Sequence, residues 1–162
     1  MSRFDLFHTE KNKALSYCRR VMLWPEQWKA FTYAKQLNWK AIKANSQSAK
    51  TLPESTGVYV FIIQPGIASL ECAGIVSYVG ETEGQTLRKR CSSYFHQSEY
   101  DVRPHIGEMM HLWKEHLQLF YVETDAADAV ALENKLLSAF LPPFNRKFPG
   151  TFNKLAKSIY ST

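Results

Sequence analysis

Residues 57–66 read GVYVFIIQPG, and eight residues further on residues 75–80 read IVSYVG. The first stretch is continuously apolar and rich in β-branched and aromatic residues, which predicts a buried strand over Gly57–Gln64. Pro65-Gly66 ends that strand. The second stretch predicts another strand, which Gly80 terminates. The two strands are expected to form a hairpin with a long connection.

The chain after this hairpin alternates between helical and strand patterns. Leu87, Cys91 and Tyr94 repeat at i, i+4 and i+7, which is the spacing of one helix face. Asp125 is a suitable N-cap for a helix that Pro142-Pro143 stops. Together with the hairpin, these patterns predict an α+β fold, with a small three-stranded antiparallel sheet flanked by helices. The predicted helices cover 86–95, 104–113 and 126–140, and the third strand covers 117–123.

The N-terminal third is expected to be a helical extension of this fold. Trp24-Pro25-Glu26 indicates a helix start, with proline at the first helical position and an acid in the first turn. Trp28, Phe31, Ala34 and Leu37 then follow at close to helical spacing. The polar residues 45–55 predict a linker. The expected parts are a basic helical extension at 1–50, an α+β domain at 51–150 and a basic C-terminal tail at 151–162.

The composition is that of a packed domain. The 162 residues are 45 % hydrophobic and 14 % aromatic, which is contrary to disorder. No apolar run approaches the ~18–20 residues of a membrane span, and none follows the N-terminus as in a secretory signal. The three cysteines are widely spaced and form no C-x-x-C pair, which argues against a disulfide framework and a zinc site. These features predict a cytoplasmic protein that does not bind a membrane.

The net charge of +5 is unevenly distributed along the chain. Residues 1–50 carry +7, residues 51–133 carry −7 and residues 134–162 carry +5. One interpretation is an ordinary solvated surface. The other is a polyanion held by the two basic ends while the acidic middle holds a cation.

Glu133 is the acidic residue with the most informative position. Its neighbours one helical turn away in each direction are Ala129, Val130, Leu136 and Leu137, so it lies on the face predicted to be buried. A buried carboxylate costs several kcal/mol unless it is paired or binds a metal. Two interpretations agree with this pattern. One is a structural Glu paired with an arginine or a backbone group, and the other is a metal ligand.

Tyrosines and basic residues near the hairpin are further candidates. Tyr59 and Tyr78 lie mid-strand close to glycines, where a tyrosine is commonly a core aromatic. Arg88, Lys89 and Arg90 open the next helix and can form a solvated basic turn. Because Arg90 lies three residues after Leu87, at the edge of the apolar stripe, it is the one expected to reach inward.

Taken in order, these motifs resemble the GIY-YIG endonuclease family, most closely the nuclease module of the bacterial nucleotide-excision-repair incision subunit. LRKRCSSYF at 87–95 is similar to that module's L-K-K-R-L-S-S-Y-F, and LENKL at 132–136 is similar to its L-E-N-x-L. The resemblance covers about 56–148. Five elements in the family's order, each on the expected strand, helix or loop, make it specific. They are Gly57-Val58-Tyr59, Tyr78-Val79-Gly80, Leu87-x-x-Arg90, Glu133 and Pro142-Pro143-Phe144-Asn145.

The resemblance implies a GIY-YIG-like nuclease domain at 51–150 that hydrolyses phosphodiester bonds in DNA with one divalent cation, Mg²⁺ or Mn²⁺. By the same resemblance, Glu133 is the metal ligand and Arg90 stabilises charge on the scissile phosphate. Tyr59 and Tyr78 line the site, and one of them helps to activate water. Tyr94 matches a position near the phosphate, and Asn145 fixes the site by hydrogen bonding.

The sequence departs from the family pattern in three ways, one of which is a segment from Gly80 to Leu87 that is about two residues longer. The tyrosines are nineteen residues apart because the hairpin carries an insertion around 65–74. Glu81 follows the second glycine, where a small or basic residue is common. Its carboxylate would either repel the phosphate or add a metal contact.

The sequence leaves several functional alternatives open. The first is a catalytically inactive nucleic-acid-binding module of the same fold, and the second is an RNA-directed nuclease. A small basic scaffold protein is a third, which only the charge pattern supports. Cleavage of both strands of a duplex would suggest a dimer or sequential nicking, because one active site cuts one strand at a time.

Overall fold

The computed structural model describes residues 3–67, 73–96 and 101–160. Of the insertion at 65–74, residues 68–72 therefore lie outside the described part. The strands are β1 Lys40–Lys43, β2 Gly57–Ile63, β3 Ile75–Glu81 and β4 Leu117–Glu123. The helices are α1 Arg3–Ser16, α2 Pro25–Ala30, α3 Ser46–Ala49, α4 Leu87–Ser93, α5 Pro104–Leu112, α6 Ala126–Phe140 and α7 Phe152–Tyr160, with a 3-10 turn at Lys114–His116.

The four strands form one antiparallel sheet in the order β1-β4-β2-β3. Successive residues of the central strand β2 face opposite sides. Tyr59 and Phe61 belong to a core shared with α4 and α5, whereas Val58 and Val60 belong to a core shared with α6. Because helices cover both faces of the sheet, β2 has to be apolar on both sides. This is why its sequence lacks the polar alternation of a half-exposed strand.

The predicted α+β class, with an antiparallel sheet flanked by helices, is confirmed, but the sheet has four strands instead of three. The additional strand β1 pairs antiparallel with β4, with Lys40 opposite Tyr121 and Lys43 opposite Gln118. It lies within the predicted helical extension. Three of its four residues are exposed, so it carries no hydrophobic alternation, and pairing with β4 determines its conformation.

The helix start at Trp24-Pro25-Glu26 is correct, but α2 ends at Ala30 and does not continue to Leu37. Phe31 and Leu37 lie beyond the helix and are half-buried against the α6 side of the sheet. Their burial is therefore achieved without helical structure, although their spacing resembles it.

The polar segment predicted to be a linker is part of the packed structure. The Asn45 side chain caps α3 by accepting a hydrogen bond from the Ser48 backbone N–H at 2.8 Å. Ala49 and Leu52 are fully buried in the α4–α5 core. The linker prediction is therefore wrong, because two buried apolar side chains among polar ones are enough to anchor this segment.

The end of α6 directs the chain back towards the sheet. Leu141 takes a left-handed backbone conformation, with φ of 45°, and ends the helix just before Pro142. The basic tail then forms α7, where Ala156 is buried and the Tyr160 hydroxyl donates a hydrogen bond to the Leu141 carbonyl oxygen. Among the described residues, no helix has the length and hydrophobicity needed to cross a bilayer.

Candidate active site

Helix α4 brings one guanidinium group to the tyrosines of the sheet. The Thr86 hydroxyl caps the helix by accepting from the Lys89 backbone N–H, and Leu87 and Cys91 are fully buried on its inner face. Arg88 turns away and pairs with Glu54. Arg90 reaches inward, where its Nε donates a hydrogen bond to the Tyr59 hydroxyl at 3.2 Å.

Three tyrosine hydroxyls continue from Arg90 as a hydrogen-bonded chain. The Tyr59 and Tyr94 oxygens are 2.6 Å apart, and the Tyr94 hydroxyl donates to the Tyr78 oxygen at 3.4 Å. If the single proton of Tyr94 goes to Tyr78, Tyr59 is the donor to Tyr94. The donors therefore run in one direction, from Arg90 through Tyr59 and Tyr94 to Tyr78. The Arg90 guanidinium also lies over the Tyr94 ring, 4.8 Å from its centroid.

The three tyrosines differ in their access to solvent. Tyr59 and Tyr94 are fully buried, whereas Tyr78 is half-buried and lines an open cleft. Burial raises the pKa of Tyr59 well above its ordinary value. Burial also raises the pKa of Tyr78, but the hydrogen bond from Tyr94 and the charge of Arg90 act in the opposite direction. Of the three, Tyr78 is the one that can meet a water molecule in the cleft.

Two glycines allow the strands to hold Tyr59 in this position. A Cβ atom on Gly80 would lie 2.3 Å from the Tyr59 hydroxyl oxygen, so the ring occupies the space that a side chain would take. A Cβ atom on Gly57 would lie 2.1 Å from the Val122 carbonyl oxygen in β4. The two glycines of the sequence motif are therefore explained by close approach of other atoms.

Glu133 lines the same cleft as Tyr78 and Arg90, on the α6 side. Its side chain is half-buried, and no described residue forms a hydrogen bond or ion pair with it. Burial, and to a smaller extent the charge of Glu81, raise the pKa of Glu133 to about 7, against the opposing effect of Arg90. A structural pairing with an arginine or a backbone group is therefore not what holds this carboxyl group.

Asn145 joins the cleft to the edge of the sheet. Its Oδ1 accepts from the Val79 backbone N–H at 2.9 Å, and its Nδ2 donates to the Val79 carbonyl oxygen at 2.8 Å. The preceding residue contributes too, because the Phe144 N–H donates to the Ser77 carbonyl oxygen. The loop after α6 is thus fixed to β3 on both sides of Tyr78.

The cleft has a volume of about 510 Å³ and a basic wall that sequence reasoning did not identify. This wall consists of Arg103 and His105 at the start of α5, and of Arg146 and Lys147 directly after Asn145. Only the two basic residues next to the Asn145 motif could have been found from the sequence. Glu81 lines the cleft as well. No group of three or more His, Cys, Asp or Glu side chains is clustered within the described ranges.

The structure thus brings all six predicted site residues to one place. Tyr78, Arg90, Glu133 and Asn145 line the cleft, and Tyr59 and Tyr94 lie behind them.

A family model described as a UvrC-like GIY-YIG domain matches residues 55–146, which is more than half of the chain. No curated protein and no solved structure matches the chain.

Proposed function

Because the chain belongs to the UvrC-like GIY-YIG domain family, whose fold is that of a nuclease, we propose that it is a divalent-metal-dependent endonuclease that hydrolyses phosphodiester bonds in DNA. One observation carries the proposal. Glu133 is a half-buried carboxyl group with no ion-pair partner within 4.0 Å among the described residues, and it shares a cleft with Tyr78 and with Arg90. A site of this kind has the groups needed to hold a cation, a phosphate and an attacking water.

The donor set of the cleft suits Mg²⁺ or Mn²⁺. Glu133, with Glu81 on the same cleft, offers carboxylate oxygens, and the cleft is open to water. Small hard cations bind one or two carboxylates and keep several waters. Glu133 would hold the ion. When bound, such an ion acidifies water and neutralises phosphate charge.

Tyr78 is the residue that we assign as the base. As the phenolate, it accepts a proton from the attacking water while the water oxygen bonds to phosphorus. The bond from phosphorus to the leaving oxygen breaks, and the leaving oxygen takes a proton from solvent. A free tyrosine at neutral pH is disfavoured as the phenolate by ~4 kcal/mol. Burial of Tyr78 adds to that cost, and the hydrogen bond from Tyr94 and the charge of Arg90 offset part of the increase.

Arg90 has the donors needed for a phosphate. Its Nε is bound to Tyr59, and its two terminal amino groups form no hydrogen bond with a described residue. A guanidinium group binds phosphate oxygens with paired donors. Tyr59 and Tyr94 would then act as positioning residues that orient Arg90 and Tyr78, and Asn145 would hold β3 in place.

Catalysis is assigned to the domain at 51–150, with residues 1–50 and the tail at 151–162 contributing nucleic-acid binding through their basic charge. The protein would act in the cytoplasm.

One observation favours a second candidate, an inactive nucleic-acid-binding module. Glu81 lines the cleft and is close enough to raise the pKa of Glu133. Its negative charge at the place where a phosphate would approach favours binding without cleavage. RNA as the substrate is the third outcome that the test has to separate.

The test is a cleavage assay with duplex, branched and single-stranded DNA and with single-stranded RNA, in the presence of Mg²⁺, Mn²⁺ or a chelator. Glu133→Gln is expected to reduce cleavage at least ~10²-fold, because even indirect partners of a metal ligand are worth about 10–100-fold. Glu115→Gln is the matched control, since this exposed residue lies outside the cleft and pairs with Lys43.

The outcomes separate the candidates. Binding without any cleavage by the wild-type protein would favour the inactive module, and cleavage of RNA alone would make it an RNA nuclease. Near-normal cleavage by a folded Glu133→Gln protein would overturn the assignment of Glu133.

A further inference from the structure

A second pocket adjoins the active-site cleft on the side of the N-terminal segment. It is formed by Arg19 and Arg20 after α1, Glu108 of α5, Tyr160 of α7 and the loop residues Phe144 and Arg146, and has a volume of about 480 Å³. Arg146 lines both this pocket and the cleft, so the two lie next to each other with this residue between them. We call it the flanking pocket.

The arginines of the flanking pocket are not equivalent. Arg19 is neutralised by Glu108, and its guanidinium group lies 5.1 Å from the Trp113 ring centroid and 5.6 Å from that of Phe144. It is therefore part of the packing of this region, as a cation–π contact supported by an ion pair.

Arg20 and Arg146 are exposed and lack a carboxylate partner within 4.0 Å among the described residues. Arg20 uses one amino group to donate to the Ile159 carbonyl oxygen at 3.1 Å, which fixes its side chain. Two positive charges thus remain available to a ligand, and one of them is held in position by the protein.

We propose that the flanking pocket binds the phosphodiester backbone of the strand on one side of the scissile phosphate. The proposal rests on the nuclease function proposed above. With the scissile phosphate at Arg90 and Glu133, a strand that leaves the cleft over Arg146 enters this pocket and meets Arg20. Guanidinium groups suit phosphate oxygens, and Tyr160 provides a ring surface for the attached nucleotide. The N-terminal segment would therefore lengthen the bound stretch of nucleic acid beyond the family domain.

The experiment measures binding of single-stranded oligonucleotides in a chelator, so that no cleavage occurs. One series is just long enough to fill the cleft, and the others extend it by a few nucleotides at the 5′ or the 3′ end. Arg20→Gln is the test variant, because glutamine removes the charge and keeps an N–H donor for Ile159. Lys13→Gln is the matched control, since this exposed residue of α1 carries the same charge and does not line the pocket.

Extension at one end should strengthen binding by the wild-type protein and by Lys13→Gln. In Arg20→Gln the increase in affinity that comes from the extension should be about tenfold smaller. This is the effect expected for loss of a charged hydrogen bond of ~1.5 kcal/mol. The dependence of log affinity on log salt should become shallower by ~0.7 for each lost phosphate contact. Thermal unfolding of each variant shows whether the fold is kept, and Arg20→Lys should restore part of the gain.

Three results would overturn the inference: no gain from extension at either end, equal losses in Arg20→Gln and Lys13→Gln, or equally tight binding of an acidic peptide of the same charge and length. The nuclease proposal is tested separately by cleavage of the short substrate. If the protein cuts this substrate but does not bind longer oligonucleotides more tightly, the flanking-pocket proposal is refuted and the nuclease proposal is not.

Discussion

Glu133 makes the stability of the metal-free protein depend on pH. Its pKa of about 7 in the folded chain lies above that of an unfolded glutamate, so between roughly pH 4.5 and 7 the folded state binds more protons. The free energy of unfolding therefore falls as pH rises through this window. The expected change is on the order of 1 kcal/mol, because solvent screens the partly exposed carboxyl group.

Glu133→Gln should remove most of this pH dependence and make the metal-free protein more stable at about pH 8. The measurement is denaturant unfolding from about pH 5 to pH 8 in a chelator, with Glu115→Gln for comparison. The other charged groups facing Glu133 are Glu81 and Arg90. A variant whose stability falls with pH as steeply as that of the wild-type protein would show that another group titrates.

Tyr59 and Tyr78 should respond differently to loss of the hydroxyl group. Tyr78→Phe is expected to reduce the cleavage rate by ~10²–10⁴-fold if Tyr78 is the base, with little change in stability. Tyr59→Phe leaves Arg90 and the buried Tyr94 without their partner, which should cost ~1–3 kcal/mol of stability and less of the rate. Rates and unfolding would be measured on both variants across about pH 6–9. Wild-type rates for both, or a larger rate loss for Tyr59→Phe, would contradict the assignment.

For single residues, the sequence predicted the position along a helix or strand but not the depth of burial. The spacing around Glu133 correctly placed it between buried neighbours, and the position of Arg90 after Leu87 correctly indicated an inward side chain. That Tyr59 is buried while Tyr78 meets the cleft depends on how α4 packs on the sheet. The sequence could not distinguish the two tyrosines in this respect, because each lies mid-strand close to a glycine.

The β2–β3 hairpin depends on the absence of a side chain at Gly80. Gly80→Ala would place a methyl group 2.3 Å from the Tyr59 oxygen, and this buried ring can move only by breaking its hydrogen bonds. The expected loss is ~1–3 kcal/mol of stability together with reduced cleavage. The measurement is the unfolding midpoint and the cleavage rate.

Gly84→Ala is the matched control, since no atom lies within 4 Å of a Cβ there and φ is not positive. Its stability should change by no more than ~0.5 kcal/mol. Equal effects of the two substitutions would show that contact with Tyr59 is not the cause.

The elements that the sequence predicted are those whose own residues specify them. Thr86 and Asp125 cap the helices that follow them, so the residue types at these positions mark the helix starts. The continuous apolar run of β2 likewise reflects its burial on both faces. β1 was missed because its residues are mostly exposed and its pairing with β4 joins positions about eighty residues apart. α2 was predicted too long because burial of Phe31 and Leu37 resembles helical spacing.

The N-terminal residues differ in what they contribute to the fold. The described side chains of α1 are exposed, so deletion of 1–16 should leave a cooperative unfolding transition within a few degrees of the wild-type midpoint. Deletion of 1–50 removes β1 and the buried Ala49, and should abolish cooperative unfolding. Circular dichroism on heating is the measurement. A cooperative transition in the shorter protein would show that 51–162 folds alone.

The segment Phe144–Asn145 has a further consequence, for association between copies of the protein. The outer edge of β3 would otherwise present unpaired backbone groups, which are a template for a strand of another chain. The Asn145 side chain bonds to the N–H and the carbonyl oxygen of Val79, and the Phe144 N–H bonds to the Ser77 carbonyl oxygen. These backbone groups in the middle of the edge strand are therefore already occupied. At the opposite edge, β1 carries Lys40 and Lys43, which form ion pairs with Glu123 and Glu115, and charged side chains at a strand edge discourage strand addition. The asparagine that joins the candidate cleft to β3 therefore also occupies backbone groups to which another strand would bind. We expect a substitution there that spares the fold to increase the tendency of the protein to self-associate, as measured by sedimentation.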